Sequence, residues 1–123
     1  MQFMRIIVKG SGFSVTPSLL QYVEDKINRL AKLLPEGSAL PIARIELTRS
    51  TKHHRKGRVF YAEINLTVSG NILLRAEAMH FDIRSAFDSA RREVRTELRK
   101  FKEKRATNFR RGARKVKRRV RNV

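Results

Sequence analysis

The stretch FDIRSAFDSARREVRTELRKFKEK, residues 81–104, decides the fold. Its apolar residues Ile83, Phe87, Ala90, Val94, Leu98 and Phe101 recur at intervals of four, three, four, four and three, the repeat of one buried helix face. Such a face needs a sheet or another helix beneath it. Arg84, Arg91, Arg95, Arg99 and Lys102 keep the same spacing on another side, so a row of cations is expected along the exposed surface. One element therefore carries both a core face and a charged face.

Working outward, residues 4–9 are rich in β-branched side chains and stop at Gly10-Ser11-Gly12, which reads as a strand and a loop. A Gly-x-Gly between strand and helix invites a phosphate-loop reading, but the third glycine and the Lys-Ser/Thr ending are missing, and a plain turn accounts for it. Thr16 as N-cap and Pro17 in the first turn open a helix at about residue 17, with Val15 able to staple onto Leu20. Its core face is Leu19, Leu20, Val23, Ile27, Leu30 and Leu34, and Pro35-Glu36-Gly37 ends it. Residues 42–50 alternate Ala43, Ile45 and Leu47 with polar neighbours. After a polar loop at 51–57, a strand from about Arg58 to Val68 turns at Ser69-Gly70-Asn71 into a third, Ile72 to Ala78.

The order strand, helix, three strands, helix predicts an α+β fold: a two-layer β-α-β-β-β-α sandwich, a four-stranded sheet with both helices packed on one face. The predicted domain spans 1–104. Residues 105–123 form a basic tail in which Ala106, Phe109, Ala113, Val116 and Val120 keep helical spacing, but like charges and Gly112 should leave it disordered when free.

Charge narrows the function. The chain has 123 residues and a formal net charge of +18, from 29 Lys plus Arg against 11 Asp plus Glu. Lys104 to Val123 holds ten basic and no acidic residues, so residues 1–103 carry +18 minus 10, or +8. Domain and tail are both cationic, which points to an extended polyanion. Nineteen of the 29 cations are arginine, which offers phosphates bidentate contacts that lysine lacks. Lys26, Arg29 and Lys32 of the first helix could extend the row on the last. RNA is favoured over DNA because no recognition helix or zinc finger is present, and helices on a sheet suit backbone readout. A membrane surface is the alternative for the tail, although Ala and Val make a weak inserting face.

Catalysis finds little support: no nucleophile elbow and no carboxylate pair suits acid–base work. His53 and His54 are neighbours in a loop with no third metal ligand, and His80 is expected in a turn or capping role. Asp82 is expected to cap the last helix. No cofactor, metal or small-molecule substrate is implied. Absence of cysteine fits a reducing cytosol, and the first residues read as a strand rather than a signal segment. No run of about 18 apolar residues suggests a membrane span.

Several pieces resemble the ribosome hibernation-promoting factors and ribosome-associated inhibitors, also described as ribosomal subunit interface proteins. They are Val15-Thr16-Pro17-Ser18-Leu19, Tyr22-Val23-Glu24-Asp25-Lys26-Ile27 with Arg29-Leu30, Tyr61-Ala62-Glu63-Ile64, Leu74-Arg75-Ala76-Glu77, and Asp82-Ile83-Arg84-Ser85-Ala86-Phe87-Asp88. The resemblance covers most of 4–104 and implies the same sandwich, similar to double-stranded RNA-binding domains. It also implies a cytoplasmic stress or stationary-phase factor that binds the small ribosomal subunit and its rRNA, or the whole ribosome. Such a factor occupies the messenger and transfer RNA channel and inhibits translation by occlusion. It catalyses nothing and is a monomer when free.

The family's basic positions match Lys26, Lys100, Lys102 and Lys104. Where the family tends to Asp-Lys-Leu and then Arg, this chain has Arg92-Glu93-Val94 and Thr96, which moves cations to Arg91, Arg92, Arg95 and Arg99. The expected RNA-binding set is therefore Lys26, Arg29, Lys32, Arg84, Arg91, Arg92, Arg95, Arg99, Lys100, Lys102, Lys104, Arg105, Arg110 and Arg111. With only the tail after Lys104, no counterpart of the long members' second, dimerising domain is expected. A general binder of double-stranded or structured RNA is the alternative reading.

Overall fold

The computed structural model describes residues 4–34, 40–50, 59–69 and 72–121, with side chains to Ala106. The expectations for Pro35-Glu36-Gly37, the 51–57 loop with His53 and His54, and the Gly70-Asn71 turn lie outside the described residues. The elements are β1 (Arg5–Ser11), α1 (Pro17–Asn28), a 3-10 segment (Arg29–Leu33), β2 (Ile42–Arg49), β3 (Phe60–Ser69), β4 (Ile72–His80) and α2 (Ile83–Arg121). They form the predicted two-layer α+β sandwich.

The sheet order is β1-β2-β3-β4, with β1 parallel to β2 and the other pairs antiparallel. Register follows from alternation: Val8, Ile45, Ile64 and Ala76 fall in one row across the inner face. A slip of one residue would put every inner side chain into solvent. Ala43, Leu47, Ala62, Leu66 and Val68 complete the buried rows, at no more than 1% exposure.

α2 covers β3 and β4 with Ala86, Phe87, Ala90, Val94 and Leu98, all fully buried, while Ile83 and Phe101 pack at the margins. α1 adds Leu19, Val23 and Ile27, and the 3-10 segment adds Leu30, with Leu34 just beyond it. Leu20 departs from the expected core. It is 37% exposed, because the buried face centres on Leu19, Val23 and Ile27 and Leu20 lies one residue, about 100°, from Leu19. The structure assigns Val15 to the margin of the core, where its Cγ2 lies 2.6 Å from the point a Cβ on Gly10 would occupy.

Caps follow from local chemistry. Thr16 Oγ1 accepts from the Leu19 N–H at 3.1 Å, and Asp82 Oδ2 accepts from the Ser85 N–H at 3.1 Å. Gly12 has φ 81°, and a Cβ there would stand 2.4 Å from the Arg49 carbonyl oxygen, so the loop after β1 is a tight turn against the end of β2. His80 is the last residue of β4 rather than a turn or cap, and its Nε2 lies 3.0 Å from Ser89 Oγ, tying the strand end to α2.

The helix does not break at Lys104. α2 continues to Arg121, where the sequence suggested a disordered tail. Elongating an existing helix adds one hydrogen bond per residue ordered, and Gly112 opposes that by only about 1 kcal/mol. No proline interrupts 83–121.

Phe87→Ala should lower unfolding free energy by about 3–5 kcal/mol, whereas Leu20→Ala should cost less than about 1 kcal/mol. Urea midpoints followed by circular dichroism check both, and equal losses would return Leu20 to the core.

Candidate RNA-binding surface

With both helices on one sheet face, their outward flanks meet along a seam. At one end is Tyr22 of α1, whose ring packs edge-on to Phe87 at 6.1 Å between centroids. Its hydroxyl donates to the Asp88 carboxylate, at 2.7 Å to Oδ2 and 2.9 Å to Oδ1. Two cations flank the ring, the Arg84 guanidinium at 4.8 Å and the Lys26 ammonium at 5.5 Å from its centroid. Arg84 also donates to Ser18 Oγ at 3.2 Å. Burial pushes the Tyr22 phenol above its ordinary value, and the Asp88 hydrogen bond and charge push the same way against Arg91 and Arg84.

One turn further along α2, Arg91 brings Nε to 4.0 Å from Asp88 Oδ1, a charge contact too long for a hydrogen bond. That Nε is buried with no acceptor among the described residues. Beyond it the seam opens into a groove of about 380 Å³ lined by Arg29, Leu30, Lys32, Leu33, Arg91, Arg95 and Arg99. Five of those seven are cations and none is acidic. The 3-10 segment places Arg29 and Lys32 on one wall, and the spacing of four in α2 places Arg91, Arg95 and Arg99 on the other.

The structure divides the expected set. Lys26 and Arg84 sit at the Tyr22 end, and Arg29, Lys32, Arg91, Arg95 and Arg99 line the groove. Lys102 is exposed on the flank of α2 that carries Arg84 and Arg95. Arg92 reaches back to Ser89 Oγ at 3.4 Å. At about 100° per residue Lys100 and Lys104 point away from the groove, and Lys100 pairs with Glu97 at 3.6 Å. Arg105 is exposed where α2 has passed the core. Arg110 and Arg111 lie on the helical backbone, and their side chains are outside the described set.

The sequence reasoning on charge passed over Tyr22 and Asp88. A signal existed, because Asp88 lies four residues after Arg84 and three before Arg91, an acid placed between two cations of the row.

The opposite sheet face has a different character. Glu46, Glu63 and Glu77 stand in register on adjacent strands, flanked by Lys9. Tyr61 donates to Glu63 at 2.8 Å and also contacts Glu77, while Asn65 at 2.7 Å and Arg75 at 3.3 Å each donate to Glu63. The Asn65 and Tyr61 hydrogen bonds, then the Arg75 charge, hold the Glu63 carboxyl below its usual value against burial. Burial and the two carboxylates push the Tyr61 phenol upward. That face mixes three carboxylates with Lys9, Arg44 and Arg75, whereas no acid is among the described residues lining the helical groove, so the helical flank suits a polyanion better.

A family model described as sigma 54 modulation protein / S30EA ribosomal protein matches residues 6–106. The chain is 36% identical over 97 residues to a ribosome hibernation promotion factor of Deinococcus radiodurans. That match covers 77% of this chain and 47% of the relative, so the chain spans about half the length of the curated relative it matches. The fold is similar to the Thermus thermophilus Protein Y N-terminal domain, with TM-score 0.65 and 25% identity over 80% of this chain and 99% of that one. A ribosomal subunit interface protein from Coxiella burnetii shares the fold at TM-score 0.62 and 20% identity, over 81% and 99% of the two chains.

Tyr22→Phe should cost about 1 kcal/mol near neutral pH. Because the folded phenol is held above its ordinary value, that contribution is fully present below pH of about 10 and is lost as pH rises through the folded value. Denaturant midpoints of both proteins at about pH 8 and about pH 11 check this, and an unchanged gap would show that the phenol–carboxylate bond contributes nothing.

Proposed function

The chain belongs to the sigma 54 modulation protein / S30EA ribosomal protein family, and from that membership we propose that it is a ribosome-binding hibernation factor. It binds the small ribosomal subunit through rRNA phosphates and occupies the messenger and transfer RNA channel, so that translation is inhibited by occlusion during stress or stationary phase. It acts in the cytoplasm, as a monomer when free, by binding alone and without a reaction.

The observation that carries this reading is the groove in which Arg29, Lys32, Arg91, Arg95 and Arg99 converge with no carboxylate among them. Such a concentration of like charge is unfavourable in the isolated protein and is relieved by phosphates. The relative named as a ribosome hibernation promotion factor supports the ribosome as the source of those phosphates. Lys26 and Arg84 extend the surface past Tyr22, and Lys102 and Arg105 lead it onto the distal part of α2, where Arg110 and Arg111 follow; Lys104, on the other side of the helix, is outside this surface. Among the described residues Phe101 is the last of α2 to pack on the core, and an RNA backbone alongside 105–121 would neutralise the repulsion among its cations.

Co-sedimentation with purified ribosomes tests this. The protein should migrate with small subunits and whole ribosomes and be excluded when messenger and initiator transfer RNA are bound first. Equal affinity for any duplex RNA would replace the proposal with a general structured-RNA binder. Arg95→Glu with Arg99→Glu should weaken ribosome binding by roughly 100-fold, two charge-assisted contacts, with the urea midpoint nearly unchanged. Deleting 105–123, which removes nine cations, should flatten the slope of log affinity against log salt by about 0.7 to 0.9 per lost phosphate contact. An unchanged slope would exclude the distal helix from the interface.

A further inference from the structure

A surface that only tracks an RNA backbone has no need of a concavity, yet the open groove between the 3-10 segment and α2 has a volume of about 380 Å³. That lies within the ~300–1,000 Å³ typical of small-ligand sites. We infer that this groove is also a discrete site for a short oligophosphate chain, the chemistry shared by inorganic polyphosphate and nucleoside polyphosphates, which competes there with RNA. The inference rests on the reading of this surface as phosphate-binding and adds a regulator of the same site.

Two walls of cations face each other across the groove. Arg91, Arg95 and Arg99 repeat every four residues, about 6 Å along the helix, so the arginine wall is about 12 Å long. Arg29 and Lys32 stand opposite, and Leu30 and Leu33 are the apolar residues of the lining. An elongated anion with negative charge on every unit fits that arrangement better than a single compact one. Arginine favours it further, because each guanidinium can hold two phosphate oxygens at once.

No acidic residue is among the described residues that line the groove. Asp88, at the Tyr22 end of the seam, accepts the Tyr22 hydroxyl and lies 4.0 Å from Arg91 Nε. The buried Arg91 Nε–H has no acceptor among the described residues. A buried donor without a partner is unfavourable by about 1–3 kcal/mol, more when charged. The sheet face, by contrast, carries carboxylates among its cations, and Glu63 is held by Asn65, Tyr61 and Arg75. It therefore supplies a control for non-specific attraction.

An oligophosphate in the groove would occupy the guanidinium groups that RNA needs, so the two ligands exclude one another by mass action. Ribosome binding would then fall as oligophosphate rises.

Isothermal titration of the full chain with inorganic tripolyphosphate, ATP and orthophosphate, without magnesium and at fixed ionic strength, tests this. Tripolyphosphate should show one saturable site at least roughly tenfold tighter than orthophosphate, and should displace a labelled RNA duplex. Binding of ATP as tight as tripolyphosphate assigns both sources to the site, and failure of ATP restricts it to the inorganic chain. Arg95→Gln with Arg99→Gln should weaken tripolyphosphate at least roughly tenfold, and Arg29→Gln on the other wall should weaken it also. Lys9→Gln with Arg44→Gln, the same charge loss on the sheet face, should leave it within about threefold. Equal losses from the two pairs, or binding that never saturates, would overturn the inference. Ribosome co-sedimentation separates it from the broader proposal. Retained ribosome binding with no tripolyphosphate site sinks this inference alone, and a tripolyphosphate site without ribosome binding sinks the ribosome reading alone.

Discussion

Burial of Phe87, Ala90, Val94 and Leu98 against β3 and β4 sets the orientation of everything else in the molecule. A helix has one azimuth at which that stripe leaves water, and at that azimuth Arg91, Arg95 and Arg99 point toward the neighbouring helical layer. Rotating α2 to separate the cations would expose Phe87, which is fully buried. The apolar contact therefore holds like charges together that would otherwise move apart. The cationic groove is a product of core packing, and core packing offsets its self-repulsion.

The Tyr22–Asp88 pair shows how the seam tolerates that charge. One acid serves two purposes, accepting from the α1 phenol and standing beside Arg91. The ring in turn carries Arg84 and Lys26 as cation–π partners. This end of the seam is closed and internally matched. The Arg29–Arg99 end is open and unmatched, so available donors are concentrated in one place. The carboxylate row on the reverse of the sheet adds a second asymmetry, because it makes that face unattractive to a polyanion.

The distal half of α2 obeys different physics. Up to Phe101 the helix rests on the core, and beyond it helical hydrogen bonds continue with exposed side chains at 102–106. The residues keep helical spacing there, but their like charges led to the expectation of a tail disordered when free. Local periodicity fits the helix, and repulsion among cations is the term that a phosphate backbone would remove.

Much was legible from residues alone. Period-two alternation named Ala43, Ile45, Leu47, Ala62, Ile64, Leu66 and Val68 as one sheet face, and the 3.6 period named the helix stripes, because each signal is a local geometric rule read directly from spacing. Thr16 and Asp82 were legible as caps for the same reason. Leu20 was misassigned because an apolar residue beside Leu19 fits the pattern until the neighbouring layer fixes the helix rotation. The sequence also determined that Arg91, Arg95 and Arg99 form a row, but not that Arg29 and Lys32 would face it, nor that Lys100 and Lys104 would turn away. Residues some 60 positions apart meet only when two helices settle on a shared sheet, so the groove, the Tyr22–Asp88 bond and the unpartnered Arg91 Nε were decided by tertiary packing.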